Sequence, residues 1–152
     1  MKIRSHVISS GIISYILFLT TNSLSSAIAS FLAGVFIDLD HFLDYYLNCG
    51  FSCNLKEIYG VLAKHKIAKI YVLLHSYELL SLFWVCIFLI PLSGIYMAMA
   101  IGFTQHIFFD QIFNPITSKG YFLSYRIINK FSKESIINRE RLPHEKSGES
   151  ND

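Results

Sequence analysis

Long apolar runs separated by short polar breaks dominate the pattern of this chain. Residues 7–37 contain no charged side chain, and a polar cluster at 20–23 divides this stretch in two. The pattern predicts a helical hairpin with helices over about 5–20 and 24–39. Both helices are short for the roughly 20 residues that a bilayer core requires, so local thinning or burial in a bundle has to accommodate them.

Two more apolar runs follow a polar connecting segment at 38–69. The third run, 71–90, contains only His75 and Glu78 as ionisable residues. A turn that contains proline and glycine then separates it from the fourth run, 95–113. We therefore predict an all-α protein built on four apolar helices.

The region after the fourth run has a different character. Residues 120–131 mix aromatic side chains with basic ones, which is typical of a short interfacial helix. The sequence beyond them is polar and charged. We expect a single helical membrane domain over 1–131 and a flexible polar tail over 132–152.

The composition favours a membrane location. Apolar residues make up 53% of the chain and charged residues 16%, with a mean hydropathy of +0.43. Soluble domains carry about 45–50% apolar and about 25% charged residues. The cysteines Cys49, Cys53 and Cys86 have neither the spacing of a disulfide framework nor that of a zinc knuckle, so reduced thiols are expected.

The basic residues indicate the orientation. None of the 13 Lys and Arg residues lies in the turns at 20–23 and 91–94. All of them lie at the N-terminus, in the 38–69 segment or from Lys119 onward. The positive-inside rule then places both termini and the long loop in the cytoplasm. We predict a four-helix integral membrane bundle with a cytoplasmic loop and a short interfacial C-terminal helix.

Two alternatives to this topology stay open. Lys2 and Arg4 before an apolar run, followed by Ala27-Ile28-Ala29, are also typical of a secretory signal and its cleavage site. The apolar run continues through 31–37, which argues against that interpretation. The other alternative is a soluble helical protein with very apolar helices.

Histidine and carboxylate residues gather at the predicted cytoplasmic ends of all four helices. The residues at this depth are His6, Asp38, Asp40, His41, Asp44, His75, Glu78, His106 and Asp110. A charged group inside an apolar helix costs about 3 kcal/mol unless it is paired or ligated. We therefore expect these side chains to face one another, a cavity or a metal ion.

The spacing of these residues favours a shared metal site. His106 and Asp110 are four residues apart, and His75 and Glu78 are three apart, so each pair falls on one helix face. Helix bundles build metal sites from inward-facing carboxylates and histidines at such intervals. Imidazole nitrogen and carboxylate oxygen suit zinc, and also manganese or iron. The candidates exceed what one tetrahedral ion needs, so two or three ions, or one ion with supporting carboxylates, would both fit.

Several of these residues also have a structural interpretation. A lone histidine near a helix end, such as His6, is often a capping or interfacial residue. Asp44 can pair with Lys56, and Glu78 can pair with a loop lysine. His65, between two lysines, is expected in a solvated loop.

Four short motifs resemble those of a known family. The sequence AGVFIDLDH at 33–41 resembles the G-x-x-x-P-D-x-D-H signature of the membrane-bound metal-dependent hydrolases, a family that includes the LexA-binding, inner-membrane-associated hydrolase group. His75-Ser76 resembles the family's H-S step, and GFTQHIFFD at 102–110 resembles its G-x-x-x-H-x-x-x-D segment. More weakly, 118–121 resembles its T-x-x-G stretch, and His6 falls where the family has an N-terminal histidine.

The chain departs from the family pattern at two places. Ile37 stands where the family has proline before Asp38. The family's H-R-G-x-x-H-S sequence is also missing, since no His-Arg pair precedes His75 and the nearest upstream histidine is His65. The resemblance covers roughly residues 6 to 125, most of the chain.

The resemblance implies metal-dependent hydrolysis, of phosphoester or lipid-linked substrates, in a bacterial inner membrane. The metal candidates are His6, Asp40, His41, His75, His106 and Asp110. Asp38 and Glu78 are the candidates for a catalytic general base or an orienting group. The surrounding lysines, together with Arg126, would attract anionic membrane lipid. Nucleic-acid binding is not expected, because topology explains the basic residues.

Two non-enzymatic functions compete with hydrolysis. Intramembrane histidine and acid pairs also mark metal or proton carriers, but the outer halves of the predicted helices lack ionisable residues. Alternatively, the polar cluster is a structural lock that only holds the bundle together.

Overall fold

The computed structural model describes residues 3–63 and 67–141. Over these residues the chain forms helices and no strand, which confirms the all-α prediction. Two isolated antiparallel bridges, Lys69 with Ser132 and Ile116 with Ile137, attach the C-terminal part to the rest. Lys64, His65, Lys66 and His144 lie outside the described residues.

Four longer helices coincide with the apolar runs, and shorter ones connect them. The α-helices are α1 Ile3–Thr21, α2 Leu24–Phe36, α3 Asp40–Cys49, α4 Leu55–Ala63, α5 Tyr77–Leu89, α6 Gly94–Phe113, α7 Leu123–Ile128 and α8 Lys133–Ile136. Short 3₁₀ turns occupy Ile37–Leu39, Ser118–Tyr121 and Arg139–Arg141. Serines begin two of the helices: Ser23 Oγ accepts from the Ser26 N–H at α2, and Ser76 Oγ accepts from the Leu79 N–H at α5.

Helices α1, α2 and α6 form the centre of the bundle through small residues. A Cβ atom at Gly102 would collide with the backbone carbonyl of Ser30, and one at Gly34 would collide with the side chain of Ser10. Glycine and serine at these positions therefore let the helix backbones approach closely, as small residues do between membrane helices.

The interface of α1, α2 and α6 buries mostly polar or small side chains, while large apolar side chains such as Ile70, Tyr121 and Ile136 form core clusters elsewhere. Its buried side chains include Ser10, Ser14, Ser26, Ser30 and Gln105, whereas α5, an apolar helix, buries none of its residues. Seven large apolar side chains along α2 and α3 are between 37% and 63% exposed: Leu24, Ile28, Leu32, Phe36, Leu39, Leu43 and Leu47.

The structure supports the four predicted membrane spans only in part. In the described residues, one helical stretch, Leu24–Cys49, is long and apolar enough to cross a membrane by length and composition. The apolar helix Tyr77–Leu89 is shorter. Leu24–Cys49 combines α2, the turn Ile37–Leu39 and α3, so the second predicted helix extends well beyond residue 39.

Two predicted boundaries in the middle of the chain are wrong. The 38–69 segment is not a single loop, because it contains α3 and α4. Asp40, Asp44 and Tyr45 are buried on one face of α3. Burial of this face stabilises a helix over residues that the sequence suggested were a loop. The third predicted helix begins at Tyr77 rather than at 71. Backbone groups of residues 71–76 form hydrogen bonds with the side chains of Asp44 and Arg126 in place of the regular hydrogen bonds of a helix.

The C-terminal part also differs from its prediction. The predicted interfacial helix over 120–131 is shortened to α7. The start of the expected tail beyond 131 is folded onto the rest of the chain, with Ile136 in α8 fully buried against Ile70 and Val72. The folded domain therefore extends at least to residue 141.

Candidate metal centre

Four separate parts of the chain deliver histidines and carboxylates to one buried cluster. Helix α1 contributes His6, and the junction of α2 and α3 contributes Asp38 and His41. The segment before α5 contributes His75. The last turns of α6 contribute His106 and Asp110.

Four donor atoms converge at the centre of this cluster. His75 Nε2 and His106 Nε2 lie 3.1 Å apart. Asp38 Oδ1 lies 3.4 Å from His75 Nε2 and 3.2 Å from His106 Nε2. Asp110 Oδ2 lies 3.3 Å from each of the same two nitrogens. Each of the two carboxylate oxygens therefore lies within 3.4 Å of both Nε2 atoms.

The other ring nitrogens define the tautomers of these two histidines. His106 Nδ1 lies 2.7 Å from the backbone carbonyl oxygen of Gly34, which can only accept a hydrogen bond. His75 Nδ1 lies 3.1 Å from one oxygen of Asp40 and 3.2 Å from the other. Nδ1 of His106 therefore donates to the Gly34 carbonyl and Nδ1 of His75 donates to Asp40, which leaves both Nε2 atoms facing the carboxylates of Asp38 and Asp110.

This arrangement requires a cation. Two Nε2 lone pairs and two carboxylates cannot satisfy one another, since all four atoms are acceptors. Burial lowers the pKa of His75, but the carboxylates of Asp110, Asp38 and Asp40 outweigh it and raise the pKa well above its usual value. A proton on His75 or a metal ion among the four atoms would each supply the missing positive charge.

His6 and His41 extend the cluster on two sides. His6 Nε2 lies 3.0 Å from the other oxygen of Asp110, and its ring stacks on His106 at 4.0 Å. His41 Nε2 lies 3.6 Å from Asp38 Oδ1. The side chains of His41 and Asp38 are 35% and 23% exposed, whereas His75, His106 and Asp110 are at most 3% exposed. The cluster thus opens to the outside at His41 and Asp38.

The described residues offer two overlapping groups of metal ligands. One comprises His6, Asp38, His106 and Asp110, and the other comprises Asp38, His41 and His75. Asp38 belongs to both groups, so the cluster has enough donors for one ion or for two neighbouring ions. A buried His/Asp cluster that can hold a metal ion is therefore present.

Asp40 has a supporting position. Its carboxylate contacts the Nδ1 side of His75 and accepts a hydrogen bond of 2.9 Å from the Leu74 N–H. It is absent from both ligand groups among the described residues. The structure thus places Asp40 behind His75, where it orients the ring, and not among the donor atoms as the sequence predicted.

Glu78 lies apart from the cluster. Its carboxylate accepts hydrogen bonds from the backbone N–H groups of Leu123 and Ser124, at 2.8 and 2.9 Å, and from the Ser124 hydroxyl. It therefore caps the start of α7. Because His75 precedes the helix, the predicted pairing of His75 and Glu78 on one helix face is wrong.

Two further buried residues lie next to His75: Asp44, which the sequence placed among the converging carboxylates, and Arg126, which was not predicted as part of the site. Asp44, fully buried, accepts hydrogen bonds from the N–H groups of Tyr71 and Val72 and does not pair with Lys56 at the surface. Arg126 is also fully buried, so it is not a lipid-facing surface residue. The Asp40–Asp44 spacing was visible in the sequence, but no local pattern indicated Arg126.

No protein-family model, curated protein or solved structure matches this chain. The interpretation of the cluster therefore depends on its own geometry.

Proposed function

We propose that this protein is an integral membrane, metal-dependent hydrolase that acts on phosphoester or lipid-linked substrates at the cytoplasmic interface. The observation that carries the proposal is the close approach of Asp38 Oδ1 and Asp110 Oδ2 to both His75 Nε2 and His106 Nε2, within a cluster that offers two overlapping groups of metal ligands. The motifs that resemble membrane-bound metal-dependent hydrolases contain the same four residues.

The spacing of the donor atoms is compatible with zinc. Ligand bonds of about 2.0 Å in a tetrahedron place neighbouring donor atoms about 3.3 Å apart. Five of the six separations among the four donor atoms run from 3.1 to 3.4 Å, which a tetrahedral ion would accommodate. Two imidazoles and two carboxylates are also ligands that zinc accepts, although manganese and iron accept them as well.

The open side of the cluster is where hydrolysis would take place. A divalent ion at such a site lowers the pKa of a water molecule and polarises a phosphoryl oxygen. Asp38 and His41 lie at the opening, so either can take a proton from water or return one to the leaving group. Glu78 is the weaker candidate for a general base, because its carboxylate is bonded to Leu123 and Ser124.

The inside-out distribution of residues supports the membrane part of the proposal. Exposed apolar side chains cover the long helices. The buried serines of α1 and α2, together with the His/Asp cluster, lie where α1, α2 and α6 meet. The exposed residues Lys56, Lys69, Lys119 and Lys130 belong to the region that the charge distribution assigns to the cytoplasm. Such lysines would attract the anionic head group of a substrate whose apolar tail stays in the bilayer.

Metal analysis of the purified protein tests the proposal. The full chain is expected to stay with carbonate-washed membranes and to require detergent for extraction. Inductively coupled plasma mass spectrometry should then detect about one or two equivalents of zinc, manganese or iron per chain. A His41→Ala/His106→Ala double variant should lose most of that metal while keeping its helical circular dichroism.

Either negative result has a definite meaning. A wild-type protein that binds no metal, even after reloading, would exclude the hydrolase and leave the cluster as a structural lock. Bound metal without turnover of phosphoester and phospholipid substrates would exclude the proposed substrates but keep the metal site.

A further inference from the structure

Arg126 is a fully buried arginine close to the His/Asp cluster. Its Nη1 atom donates hydrogen bonds to the carbonyl oxygens of Tyr71 and Val72, both at 2.6 Å. Its Nη2 atom donates to the carbonyl oxygen of His75 at 3.0 Å. One guanidinium thus bonds three carbonyls of the segment that ends in a predicted metal ligand.

The N–H groups of the same segment are bonded from another direction. Asp44 Oδ1 accepts from the N–H groups of Tyr71 and Val72, at 2.7 and 3.0 Å. Asp40 Oδ2 accepts from the Leu74 N–H at 2.9 Å. Because this backbone is not helical, its polar groups need such partners when they are buried. Two carboxylates and one guanidinium therefore replace the hydrogen bonds of a helical turn.

The conformation of the segment depends on these bonds. Val72 has a φ of 28°, in a region that β-branched residues rarely occupy. Such a conformation persists only where surrounding contacts determine it. Val72 is also the residue at which Asp44 and Arg126 bind opposite backbone groups. The two side chains together hold the bend that directs His75 into the cluster.

Arg126 is itself held in place by the C-terminal part of the chain. Its carbonyl oxygen accepts from the Phe131 N–H at 2.7 Å, and the Phe131 carbonyl accepts from the Ile70 N–H at 2.9 Å. The Lys133 N–H donates to the Ala68 carbonyl at 3.1 Å. Residues 126–133 are therefore anchored to the start of the segment that Arg126 orients.

We infer that Arg126 is a positioning residue that sets His75 for metal binding. This inference depends on the metal site of the proposed function. The planar guanidinium is what allows the two ends of the segment to be bonded at once, one through Nη1 and the other through Nη2. A lysine ammonium keeps the charge but is a single point, so it cannot reach the Tyr71 and His75 carbonyls together.

Cobalt binding by the full-length protein in detergent tests this role. Arg126→Lys should weaken Co²⁺ binding by about 10–100-fold, as losses of supporting contacts behind a ligand do. The d–d absorption of Co²⁺ bound to the Arg126→Lys protein should also shift toward that of Co²⁺ bound to the His75→Ala protein. Arg141→Lys is the matched control, since Arg141 is exposed and its side chain makes one hydrogen bond within the described residues, to the Gln111 carbonyl. Ile58→Ala controls for lost stability, because it truncates a buried side chain that makes no hydrogen bond.

The outcomes separate the inference from the proposed function. Wild-type protein that binds no Co²⁺ would overturn the proposed function, and the inference with it. Tight wild-type binding, together with a folded Arg126→Lys protein that keeps both its affinity within about twofold and the wild-type spectrum, would overturn the inference alone. Should the lysine variant not fold, Arg126→Gln, whose neutral amide still donates two hydrogen bonds, is judged by the same affinity and spectrum.

Discussion

At the scale of single residues, the site is defined as much by the groups behind the ligands as by the ligands. The Nε2 atoms of His75 and His106 both lie near Asp38 and Asp110, but their Nδ1 atoms have different hydrogen-bond partners. His106 bonds to the Gly34 backbone carbonyl, whereas His75 bonds to the charged carboxylate of Asp40. A carboxylate partner raises the basicity of a ligating imidazole more than a carbonyl does, so His75 is expected to be the stronger donor.

Asp40→Asn tests whether Asp40 supports His75. The amide keeps an acceptor for the Leu74 N–H but loses the charge that stabilises the His75 ring. We expect metal affinity to fall by about 10–100-fold in a chelator-competition assay, with the number of bound ions unchanged.

Glu78→Gln is the control for that measurement. Its metal affinity should match the wild type, because Glu78 bonds to Leu123 and Ser124 and not to the cluster. A loss of metal in Glu78→Gln equal to that in Asp40→Asn would contradict the assignment of both carboxylates.

At the scale of elements, the close approach of α2 and α6 sets one wall of the site. Gly102 faces the Ser30 carbonyl, and one turn further along the same helices Gly34 faces His106. The hydrogen bond from His106 to the Gly34 carbonyl therefore depends on the small residues that let the two helices touch.

Gly102→Ala should separate these helices. The added methyl group would meet the Ser30 backbone, which cannot move as a flexible side chain can, so we expect a loss of about 1–3 kcal/mol in unfolding free energy. Metal affinity should fall as well, because the His106 ring loses its carbonyl partner. Thermal unfolding in detergent, with and without metal, measures both effects.

Gly11→Ala provides the matched control in a neighbouring helix. A Cβ atom there has no neighbour within 4 Å, so the substitution should stabilise α1 by about 0.5–1 kcal/mol. Equal destabilisation by the Gly11 and Gly102 substitutions would show that the α2–α6 contact is not the cause.

At the scale of the whole molecule, the buried carboxylates of the cluster favour the binding of a proton or a metal cation. The carboxylates that raise the pKa of His75 well above its usual value, against the effect of burial, also attract a metal ion. Proton and metal therefore compete for the same nitrogen.

Metal affinity should consequently rise with pH. Below the raised pKa of His75, each bound ion has to displace a proton from that ring, so the apparent affinity should fall about tenfold per pH unit. Isothermal titration in two buffers of different ionisation enthalpy should detect the released proton. Affinity that is independent of pH between about 6 and 8 would show that His75 is not a ligand.

Much of this arrangement could be predicted from local patterns. The apolar runs and their uncharged turns predicted the all-α class and the ends of α1 and α6 to within a few residues. The position of histidines and acids at one end of each run predicted that His6, Asp38, His75, His106 and Asp110 would meet. These features are local or periodic, so the sequence displays them directly.

Other features could not be predicted, because they depend on partners far along the chain. Residues 71–76 are apolar enough for a helix, but hydrogen bonds to Asp44 and Arg126, 27 and 55 residues from Tyr71, hold them in a bend. Arg126 looked like a surface residue, since nothing in its neighbourhood indicates burial. Local patterns were enough to predict the four long apolar helices and the histidines and acids at their ends, but not α3, α4 or α8. Tertiary packing was needed to separate the candidate ligands from the groups that support them, because a buried hydrogen bond can be assigned only when both partners are in place.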